Sequence, residues 1–386
     1  MPQASTAPSP PTRLLLFFTF PVSLHEWAET QLLEREVKLY SHLGAAGVHV
    51  TFITYGDERD LHYKKELGGI QVYPIYAGRK RPRTRAGAYI QSLFLPFRLG
   101  ALVKHADLLK TNQMWGSWVA LLCGALYGRP VIVRCGVERY QNELRESHGQ
   151  LYFLALRWIS RRCYRAASRI ILTTRESAAF VAERLGIDPA KIQVLPNFVD
   201  VSRFHPLGIP DNGKLLFIGR LAAVKNLFAL VDAIAATDYE LHIVGEGELH
   251  ADLACHIRKV GANVRLLGRV PNDQLPELIN QYSVFVLPSA YEGHPKSLIE
   301  AMACGAAVVG TDVPGIRSLI EHGRTGLLTR PDPESLRHAI TTLMNDRQLR
   351  RRLGANARKF AAAQFDLMDL AQRELSLYQQ VQRSCQ

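Results

Sequence analysis

The stretch VFVLPSAYEGHPKSLIEAMACGAAVVG, residues 284–310, carries the pattern that decides the fold. It opens on four apolar residues of the kind found in a buried strand, and it closes on a second such run at residues 307–310. Between the two runs, Pro295 suits the first position of a helix. That helix would bury one apolar face, formed by Leu298, Ile299 and Met302. Strand, helix and strand in this order predict one unit of a parallel sheet.

Strand-like runs alternate with amphipathic helical stretches along the whole chain, which predicts parallel sheets covered by helices on both faces. In the first half the strand-like runs occupy residues 14–20, 48–55, 70–75, 108–110, 131–134, 170–173 and 192–195. In the second half they occupy residues 215–218, 241–244, 264–267, 284–287 and 307–310. The predicted fold class is therefore α/β, with two facing Rossmann-like domains built on doubly wound parallel sheets.

A change of composition separates the two series. Residues 196–212 are rich in Pro, Gly, Asp and Asn and lack periodicity, as expected of a hinge. We expect a disordered leader at residues 1–12, where Pro, Ser and Ala dominate, and then an N-terminal domain at 13–195. A C-terminal domain is expected at 213–365. A final helix at 366–386 is expected to pack back on the N-terminal domain.

The composition predicts a folded protein with an anionic partner. The chain has 386 residues, of which 47% are apolar and 21% charged, enough for a buried core in each of two domains. Its net charge of +12 is concentrated in residues 1–191, which hold 26 Lys and Arg against 15 Asp and Glu. A one-sided excess of this kind points to nucleic acid or to anionic lipid headgroups.

The apolar runs and the cysteines indicate an intracellular protein. No apolar run approaches the roughly 18 residues of a membrane-spanning helix, and the run at 14–20 is too short for a secretory signal. The six cysteines show no CxxC pair and no histidine at metal spacing, so we expect a reducing compartment and no structural zinc. The expected location is cytoplasmic, with peripheral attachment to the inner face of the cytoplasmic membrane left open.

Two cations follow the first strand of the second half. Arg220 comes directly after Gly219 at the exit of the strand at 215–218, and Lys225 lies five residues further on. A guanidinium can fork onto two phosphate oxygens and an ammonium acts as a point charge, so the two would suit a diphosphate. Two solvated surface cations are the alternative from this segment alone.

Two carboxylates flank the start of the helix predicted at Pro295. Glu292 precedes it in a loop opened by Gly293, and the side chain of Glu300 would lean back toward the helix start. Both could meet one polar ligand, and carboxylates are good acceptors for sugar hydroxyls. The helix dipole disfavours Lys296 in the first turn, which suggests an anion nearby. Ordinary solvated glutamates are the alternative.

Taken in chain order, these segments resemble the pattern of glycosyltransferase family 4. The matching segments are PNFVD at 196–200, GRL at 219–221 followed by Lys225, GEG at 245–247, LGRV at 267–270, Glu292 and Glu300 spaced as E-x7-E, ACGAAVVGTDVPGIRSLI at 303–320 and HGRTGLL at 322–328. Each motif alone is weak, whereas their order along the second half is specific.

The resemblance implies a GT-B fold and a retaining transfer of a sugar from a nucleoside diphosphate donor, with no metal and no cofactor. It makes the domain at 13–195 the acceptor domain and the domain at 213–365 the donor domain. It implies that Arg220 and Lys225 bind the diphosphate and neutralise charge on the departing nucleotide. Glu292 would hold the donor-sugar hydroxyls, completing the catalytic set, and Glu300 would hold the ribose. The remaining donor contacts are implied for Gly219, Gly245, Arg269, Val270, Gly293, His294, Lys296 and Ser297, with the backbone of Arg269 and Val270 framing the base.

The first half departs from the family pattern at two loops. Phe20-Pro21-Val22-Ser23 stands where such enzymes usually carry a glycine-rich loop, and Arg134-Cys135-Gly136 stands where they often carry a histidine. The acceptor-side candidates are Ser23, Asn112, Arg134 and Gly136. Ser23 also begins a capping box with Glu26, which predicts a helix that ends at Gly44. No carboxylate of this half is assigned as a nucleophile.

Two basic segments of the first half favour a membrane-surface acceptor. Residues 79–85, RKRPRTR, precede apolar and aromatic residues at 89–95, and residues 157–165 combine four arginines with Trp158. Charge together with aromatic anchors favours attachment to anionic lipid, although a solvated face would explain either segment alone. We therefore expect a lipid-linked saccharide or polysaccharide precursor as the acceptor.

Other functions are alternatives at this level. The charge would suit a nucleic-acid-binding protein, but no recognition motif is present, so nucleic acid is not the expected partner. A nicotinamide-dependent oxidoreductase would need GxGxxG after the first strand, where Phe20-Pro21 lies. A nucleotide-sugar epimerase or a phosphorylase on the same fold stays open.

Overall fold

The computed structural model describes residues 11–30, 32–136, 138–144 and 149–384. The chain forms two compact units, the first comprising Met1–Leu195 with Ala371–Gln386 and the second Pro196–Leu370. Of the predicted leader, residues 1–10 lie outside the described residues, as does Cys385. Thr12, predicted as the end of the leader, begins the first strand.

The first unit is built on a parallel sheet. Its strands are β1 (Thr12–Phe17), β2 (Val48–Thr54), β3 (Gln71–Pro74), β4 (Leu108–Thr111), β5 (Val131–Cys135), β6 (Arg169–Leu172) and β7 (Ile192–Val194). Its helices are α1 (Leu24–Glu29), α2 (Leu33–Ala45), α3 (Arg85–Lys104), α4 (Ser117–Tyr127), α5 (Arg139–Glu143), α6 (Gln150–Ala166) and α7 (Arg175–Leu185), with 3₁₀ turns at Glu58–Leu67 and Pro189–Lys191. The seven strands of the described residues lie in the order β3-β2-β1-β4-β5-β6-β7.

The second unit repeats this plan with fewer strands. Its strands are β8 (Leu215–Ile218), β9 (Leu241–Val244), β10 (Val264–Gly268), β11 (Val284–Leu287), β12 (Ala307–Thr311) and β13 (Leu327–Thr329). Its helices are α8 (Leu227–Ala235), α9 (His250–Val260), α10 (Leu275–Asn280), α11 (Lys296–Ala303), α12 (Pro314–Arg317), α13 (Pro333–Asn345) and α14 (Arg347–Phe365), with 3₁₀ turns at Ala223–Lys225 and Asn272–Gln274. A last helix, α15 (Leu367–Arg383), begins in this unit and continues in the first.

The strand order of the second sheet locates its ligand crevice. The order is β10-β9-β8-β11-β12-β13, so consecutive strands are added on one side of β8 and then on the other. In open parallel sheets, ligands bind outside the carboxyl ends of the strands at this reversal of order. The loops after β8 and β11 therefore lie at the expected binding edge.

The core explains why the inner strands are continuous apolar runs. The side chains of Leu215, Phe217 and Val286 are completely buried, because helices cover both faces of the sheet. Removing such side chains from water contributes about 1.5–3 kcal/mol each. The predicted α/β class with two Rossmann-like sheets is confirmed, and each of the twelve predicted strands is present.

Three details of the predicted elements are wrong. The edge strand β13 was missed, since three residues are too few to show a period. β1 ends at Phe17 rather than at residue 20, because the chain turns there: the N–H of Val22 donates to the carbonyl of Thr19 at 2.7 Å. The helix predicted to run to Gly44 is divided into α1 and α2: the hydroxyl of Thr30 donates to the carbonyl of Glu26 at 2.6 Å where α1 ends.

The segment predicted as a hinge, residues 196–212, belongs to the second unit. The backbone N–H of Val199 donates to the carbonyl of Phe365 at 2.8 Å. The guanidinium of Arg358 on α14 donates to the carbonyls of Val201 and Phe204 at 3.2 and 2.7 Å. These bonds tie the segment to the helices of that unit.

The helix α3 differs from the sequence-based expectation about membrane spans. In the part of the chain that the structure describes, it is the one helix long and apolar enough to cross a membrane by length and composition. The expectation that no stretch approaches that length is therefore wrong. It considered unbroken apolar runs, whereas Gln91, Ser92 and Arg98 interrupt this helix without ending it. Only a third of the apolar stretch is buried inside the protein.

Candidate active site

Lys225 is held on a short turn that is fixed to the loop after β11. The turn Ala223–Lys225 ends at Asn226, whose φ of 53° lies in the left-handed region that Asn tolerates. The Asn226 amide donates to the carbonyls of Pro288 and Pro331 at 3.2 and 2.8 Å. The backbone N–H of Ala290 donates to the carbonyl of Val224 at 2.9 Å. These bonds place Lys225 beside the loop that carries Glu292.

Lys225 and Glu292, singled out separately in the sequence, form one cluster. The Lys225 ammonium donates to Oε1 of Glu292, and the Ser289 hydroxyl donates to the same oxygen at 2.7 Å. The two charged side chains are 16% and 12% exposed, and Ser289 is completely buried. Oε2 of Glu292 accepts no hydrogen bond from the described residues. Sequence reasoning missed Ser289, although a hydroxyl three residues before the glutamate was a usable signal.

The GEG motif positions the loop that carries Arg220. Gly245 has φ +136°, and a Cβ there would lie 1.9 Å from the carbonyl oxygen of Gly219. A Cβ on Gly247 would lie 2.3 Å from the carbonyl oxygen of Leu221. The two loops are also joined by a bond from the N–H of Leu221 to the carbonyl of Glu246 at 2.9 Å. The glycines are therefore needed for backbone contact between the loops.

The other predicted donor residues at this edge are more exposed. Arg220 is exposed at the exit of β8, and Val270 is half-buried after β10. Nε of Arg269 lies 3.0 Å from a carboxylate oxygen of Glu246, and both side chains are about half exposed. This ion pair joins the loops after β9 and β10. Because the Arg269 side chain is engaged in this pair, the backbone of Arg269 and Val270 is left for the predicted contact with the base.

The start of α11 differs slightly from the prediction. Pro295 is the residue before the helix, with ψ 115°, and α11 begins at Lys296. The ammonium of Lys296 lies 4.5 Å from the ring centroid of Phe198. A cation over an aromatic face is favourable, so this contact offers a reason for a lysine in the first turn besides a bound anion. Ser297 beside it is half-buried.

Two further predicted donor residues are buried. His294 is 7% exposed, its carbonyl accepts from the Asn197 amide at 2.7 Å, and its ring packs edge-on against Phe365. Glu300 is 4% exposed on α11. Burial, with a smaller effect of the Glu300 carboxylate, raises the pKa of the Cys304 thiol to about 12. These residues lie deeper than Lys225 and Glu292.

Gly293, between Glu292 and His294, is held by α12. A Cβ on Gly315 would lie 2.2 and 2.4 Å from the carbonyl oxygens of Glu292 and Gly293. Glycine in the family-like segment DVPGIR therefore allows the helix to pack against the backbone of the Glu292 loop. This contact supports the Glu292 loop through a helix that follows it in the chain, whereas the turn that carries Lys225 precedes it.

In the first unit, Ser23 is occupied as a helix cap. Its hydroxyl accepts from the N–H of Glu26 at 3.1 Å, and its own N–H donates to the Glu26 carboxylate at 2.6 Å, which confirms the capping box. Sequence reasoning missed the buried Asp60, which accepts from the N–H groups of Leu24 and His25 at 3.1 and 2.9 Å. Asp60 thus orients the loop after β1 from 36 residues away, a separation that no local pattern reports.

Of the other acceptor-side candidates, Asn112 and Gly136 follow strands, whereas Arg134 lies within its strand. Asn112, 8% exposed, follows β4, and Gly136 follows β5 with its N–H donating to the Gln113 side chain at 2.8 Å. Arg134 does not end its strand, because β5 continues to Cys135. It is 8% exposed, and its charge acts on Lys110 and Tyr378 in the interior of the unit. Arg134 is therefore an interior cation.

A buried carboxyl near this strand exit was also missed. Glu138 is 1% exposed and accepts from the N–H of Gln141 at 2.7 Å and from the Ser160 hydroxyl at 3.2 Å. Burial raises its pKa to about 7, and the two hydrogen bonds oppose the rise. Its position two residues after Gly136 was the available signal.

Both sheets are parallel and covered by helices, as in nucleotide-binding folds. The cluster of Lys225 and Glu292 lies at the switch point of the second sheet. That combination is typical of an enzyme with a nucleotide site at the second sheet. The chain belongs to the group 1, family 4 glycosyltransferases: residues 37–203 match the model described as "Glycosyltransferase Family 4", and residues 202–360 match "Glycosyl transferases group 1". This membership confirms the resemblance seen in the sequence and identifies a glycosyltransferase acting on nucleotide sugars.

Known proteins resemble the chain over most of its length. Alpha-maltose-1-phosphate synthase of Mycolicibacterium smegmatis is 25% identical over 374 residues, 88% of this chain and 96% of the relative. UDP-Gal:alpha-D-GlcNAc-diphosphoundecaprenol alpha-1,3-galactosyltransferase of Escherichia coli is 26% identical over 283 residues, 67% of this chain and 72% of the relative. Among solved structures, Alr3699/HepE of Anabaena in complex with UDP and glucose superposes with a TM-score of 0.76 at 20% identity, covering 96% of this chain and all of that one.

Proposed function

We propose that this enzyme transfers a hexosyl group, with retention and without a metal ion, from a nucleoside diphosphate sugar to a lipid-linked saccharide or polysaccharide precursor at the inner face of the membrane. The observation that carries the proposal is the Glu292 carboxylate, whose Oε1 is anchored by Lys225 and Ser289 at the switch point of the second sheet. With Oε1 held in this way, Oε2 is the oxygen that would accept hydrogen bonds from the donor sugar.

The cations of this edge supply the charge that the leaving group needs. Departure of a nucleoside diphosphate develops negative charge on the β-phosphate. Lys225 and the exposed Arg220 would offset that charge, the role that a divalent ion has in metal-dependent transfer. A diphosphate that reaches Lys225 shares the ammonium with Glu292, so donor binding and carboxylate orientation are coupled.

Glu292 is proposed to orient the donor sugar. A carboxylate accepts hydrogen bonds from hydroxyls, and one held at Oε1 presents Oε2 in a fixed direction. Orientation of the sugar ring over the diphosphate would favour attack from the face that the leaving group occupied, consistent with retention. Gly293, His294 and Ser297 supply the surrounding backbone and side chains, and Glu300 is proposed to reach the ribose.

A uridine nucleotide is the first donor to test. The HepE structure contains UDP and glucose, and the galactosyltransferase of Escherichia coli is named for UDP-Gal. The latter name also includes a diphosphoundecaprenol acceptor, which supports a lipid-linked acceptor here. The basic segments of the first unit, at residues 79–85 and 157–165, support approach to an anionic membrane.

The test is calorimetric titration of the full chain with UDP, GDP and ADP in metal-free buffer. We expect one nucleotide to bind and the Lys225→Ala variant to weaken that binding at least about tenfold, as loss of a charge-assisted contact would. Circular dichroism controls for folding. Absence of binding by all three nucleotides, or equal binding by the variant, would contradict the donor site.

A further inference from the structure

Three helices of the first unit leave much of their apolar surface uncovered. Of the sixteen large apolar side chains that are exposed in the described residues, eleven lie on α3, α4 and α6. They are Tyr89, Ile90, Leu93, Phe94 and Phe97 on α3, Leu122 and Leu126 on α4, and Leu151, Tyr152, Leu154 and Trp158 on α6. Exposed apolar groups this concentrated mark an interaction site.

An open cavity of about 400 Å³ lies between these helices. Its walls include Ile90 and Leu93 from α3, Trp115 and Trp118 at the start of α4, and Trp158 and Ile159 from α6. This volume falls within the range of small-molecule sites in proteins. The cavity belongs to the first unit alone and is distinct from the Lys225–Glu292 cluster of the second.

The walls of this cavity select hydrocarbon over polar ligands. The indole N–H of Trp118 is already used, since it donates to the Ser92 hydroxyl at 2.9 Å. Burial raises the pKa of the Cys163 thiol, which therefore stays neutral. A sugar or a nucleotide would lose its hydrogen bonds to water on entering such a site, whereas an alkyl or isoprenoid chain gains from leaving water.

The rim of the cavity is cationic. The guanidinium carbon of Arg162, which lines the cavity, lies 5.4 Å from the ring centroid of Trp158. That of Arg139 lies 4.2 Å from the ring centroid of Trp115, but Arg139 is ion-paired with Glu143 at 3.1 Å. The helix α6 carries four arginines and no acidic residue, and residues 79–85 carry five basic residues and no acidic one. Charge of this sign complements a phosphate headgroup.

We propose that the cavity binds one hydrocarbon chain of a phosphate-bearing lipid, with the phosphate against Arg162. The proposal that this lipid is the acceptor rests on the function proposed above, whereas the proposal that the cavity binds a lipid does not. The apolar stripes around the cavity then lie on the bilayer from which the chain enters. In this arrangement the lipid that is bound is also the one whose saccharide is presented for transfer.

The tryptophans provide the measurement. Three of the four tryptophans line the cavity, and the fourth, Trp27, is buried in the core at 4% exposure. The full chain is titrated with an alkyl phosphate that carries bromine at the end of its chain, below its micelle concentration, and quenching of tryptophan fluorescence is recorded. We expect saturable quenching. Inorganic phosphate should give none, and the brominated alcohol of equal chain length should bind more weakly.

Variants distinguish the contribution of the hydrocarbon chain to binding from that of the phosphate headgroup. Leu93→Glu, or Ile90→Glu should the first variant fold poorly, places a charge in the apolar wall and should weaken binding about tenfold or more. Arg162→Gln should reduce only the preference for the phosphate over the alcohol. Met368→Glu, at an exposed apolar position of the second unit, is the matched control and should bind as the unchanged protein does.

Clear results would overturn the proposal. Quenching that does not saturate, or that Leu93→Glu leaves unchanged, removes the cavity as the site, and equal affinity for the alcohol and the phosphate removes the headgroup contact. Dimers in sedimentation that Leu93→Glu dissociates, without quenching by the alkyl phosphate, would assign the surface to a second copy of the chain. Nucleotide titration of Leu93→Glu should match that of the unchanged protein, so that failure here is distinguishable from failure of the donor site.

Discussion

Lys225 and Glu292 meet at a single carboxylate oxygen, Oε1 of Glu292, although 67 residues separate them in the chain. The residue predicted to bind diphosphate therefore also orients the residue predicted to hold the donor sugar. Because the two side chains are largely buried, neither can change its charge or position without affecting the other.

The first prediction concerns this pair. Lys225→Ala and Glu292→Ala should each lower kcat/KM about 10²–10³-fold, since each removes a group that is proposed to act on the reacting donor. The double variant should lose less than the product of the single losses, because one interaction is shared. Nucleotide release from the donor in the presence of acceptor measures the rates. Near-normal turnover in both single variants would contradict the site assignment.

The second prediction concerns the GEG loop. Gly245→Ala should lower the free energy of unfolding of the second unit by about 2 kcal/mol or more, because its Cβ would collide with the carbonyl of Gly219. Gly268→Ala is the matched control: it also has a positive φ, +69°, but a Cβ there meets nothing within 4 Å. Chemical denaturation compares the two. Equal losses would mean that φ, and not the loop contact, decides the cost.

The third prediction concerns the attachment of α15 to the first unit. The ammonium of Lys110, completely buried on β4, donates to the carboxylate of Glu374 on α15, and burial lowers the pKa of that lysine. Glu374→Ala should cost about 3–5 kcal/mol, because it leaves a buried charge without its partner. Replacing both residues, Lys110→Met with Glu374→Leu, should recover most of the loss.

An exposed ion pair controls for this effect. Glu321 and Arg324 are paired at 2.6 Å with side chains 47% and 74% exposed, so Glu321→Ala should cost less than about 1 kcal/mol. Thermal unfolding gives the differences. If Glu374→Ala were as mild as Glu321→Ala, the ion pair would not be what holds the helix.

The fourth prediction concerns pH. The pKa of Glu138 is raised from 4.5 to about 7 in the folded protein, so the folded state binds more protons than the unfolded state between these values. Stability from this group therefore falls as the pH rises through that window. Glu138→Gln should gain stability relative to the unchanged protein between about pH 5 and pH 8. Melting temperatures of both proteins at each pH test this, and parallel profiles would contradict the shifted pKa.

Much of the proposed donor site was visible in the sequence. Gly219, Arg220 and Lys225 follow a strand, and Glu292 and Glu300 flank a helix start, which are local relations between neighbours. Ser289 could have been found in the same way. Asp60 and Lys110 could not, because their partners, Leu24 and Glu374, are brought to them by the sheet and by a helix from the end of the chain.

For the apolar residues of the first unit, too, the sequence showed the local pattern but not the contacts between helices. The pattern of residues 89–95 indicated an apolar face with basic residues before it. That this face adjoins Trp115 and Trp158 around one cavity depends on the packing of α3 against α4 and α6, which sequence spacing does not report.

The sequence by itself determined the two α/β units, the family and the order of the donor motifs, because period, caps and strand exits are properties of adjacent residues. Only the tertiary structure decided that Lys225 binds Glu292, that Gly245 lies on Gly219 and that Lys110 anchors α15. The physical reason is that the first two contacts depend on strand order, which places loops that are far apart in the chain side by side, and the third on the packing of the last helix against the first unit.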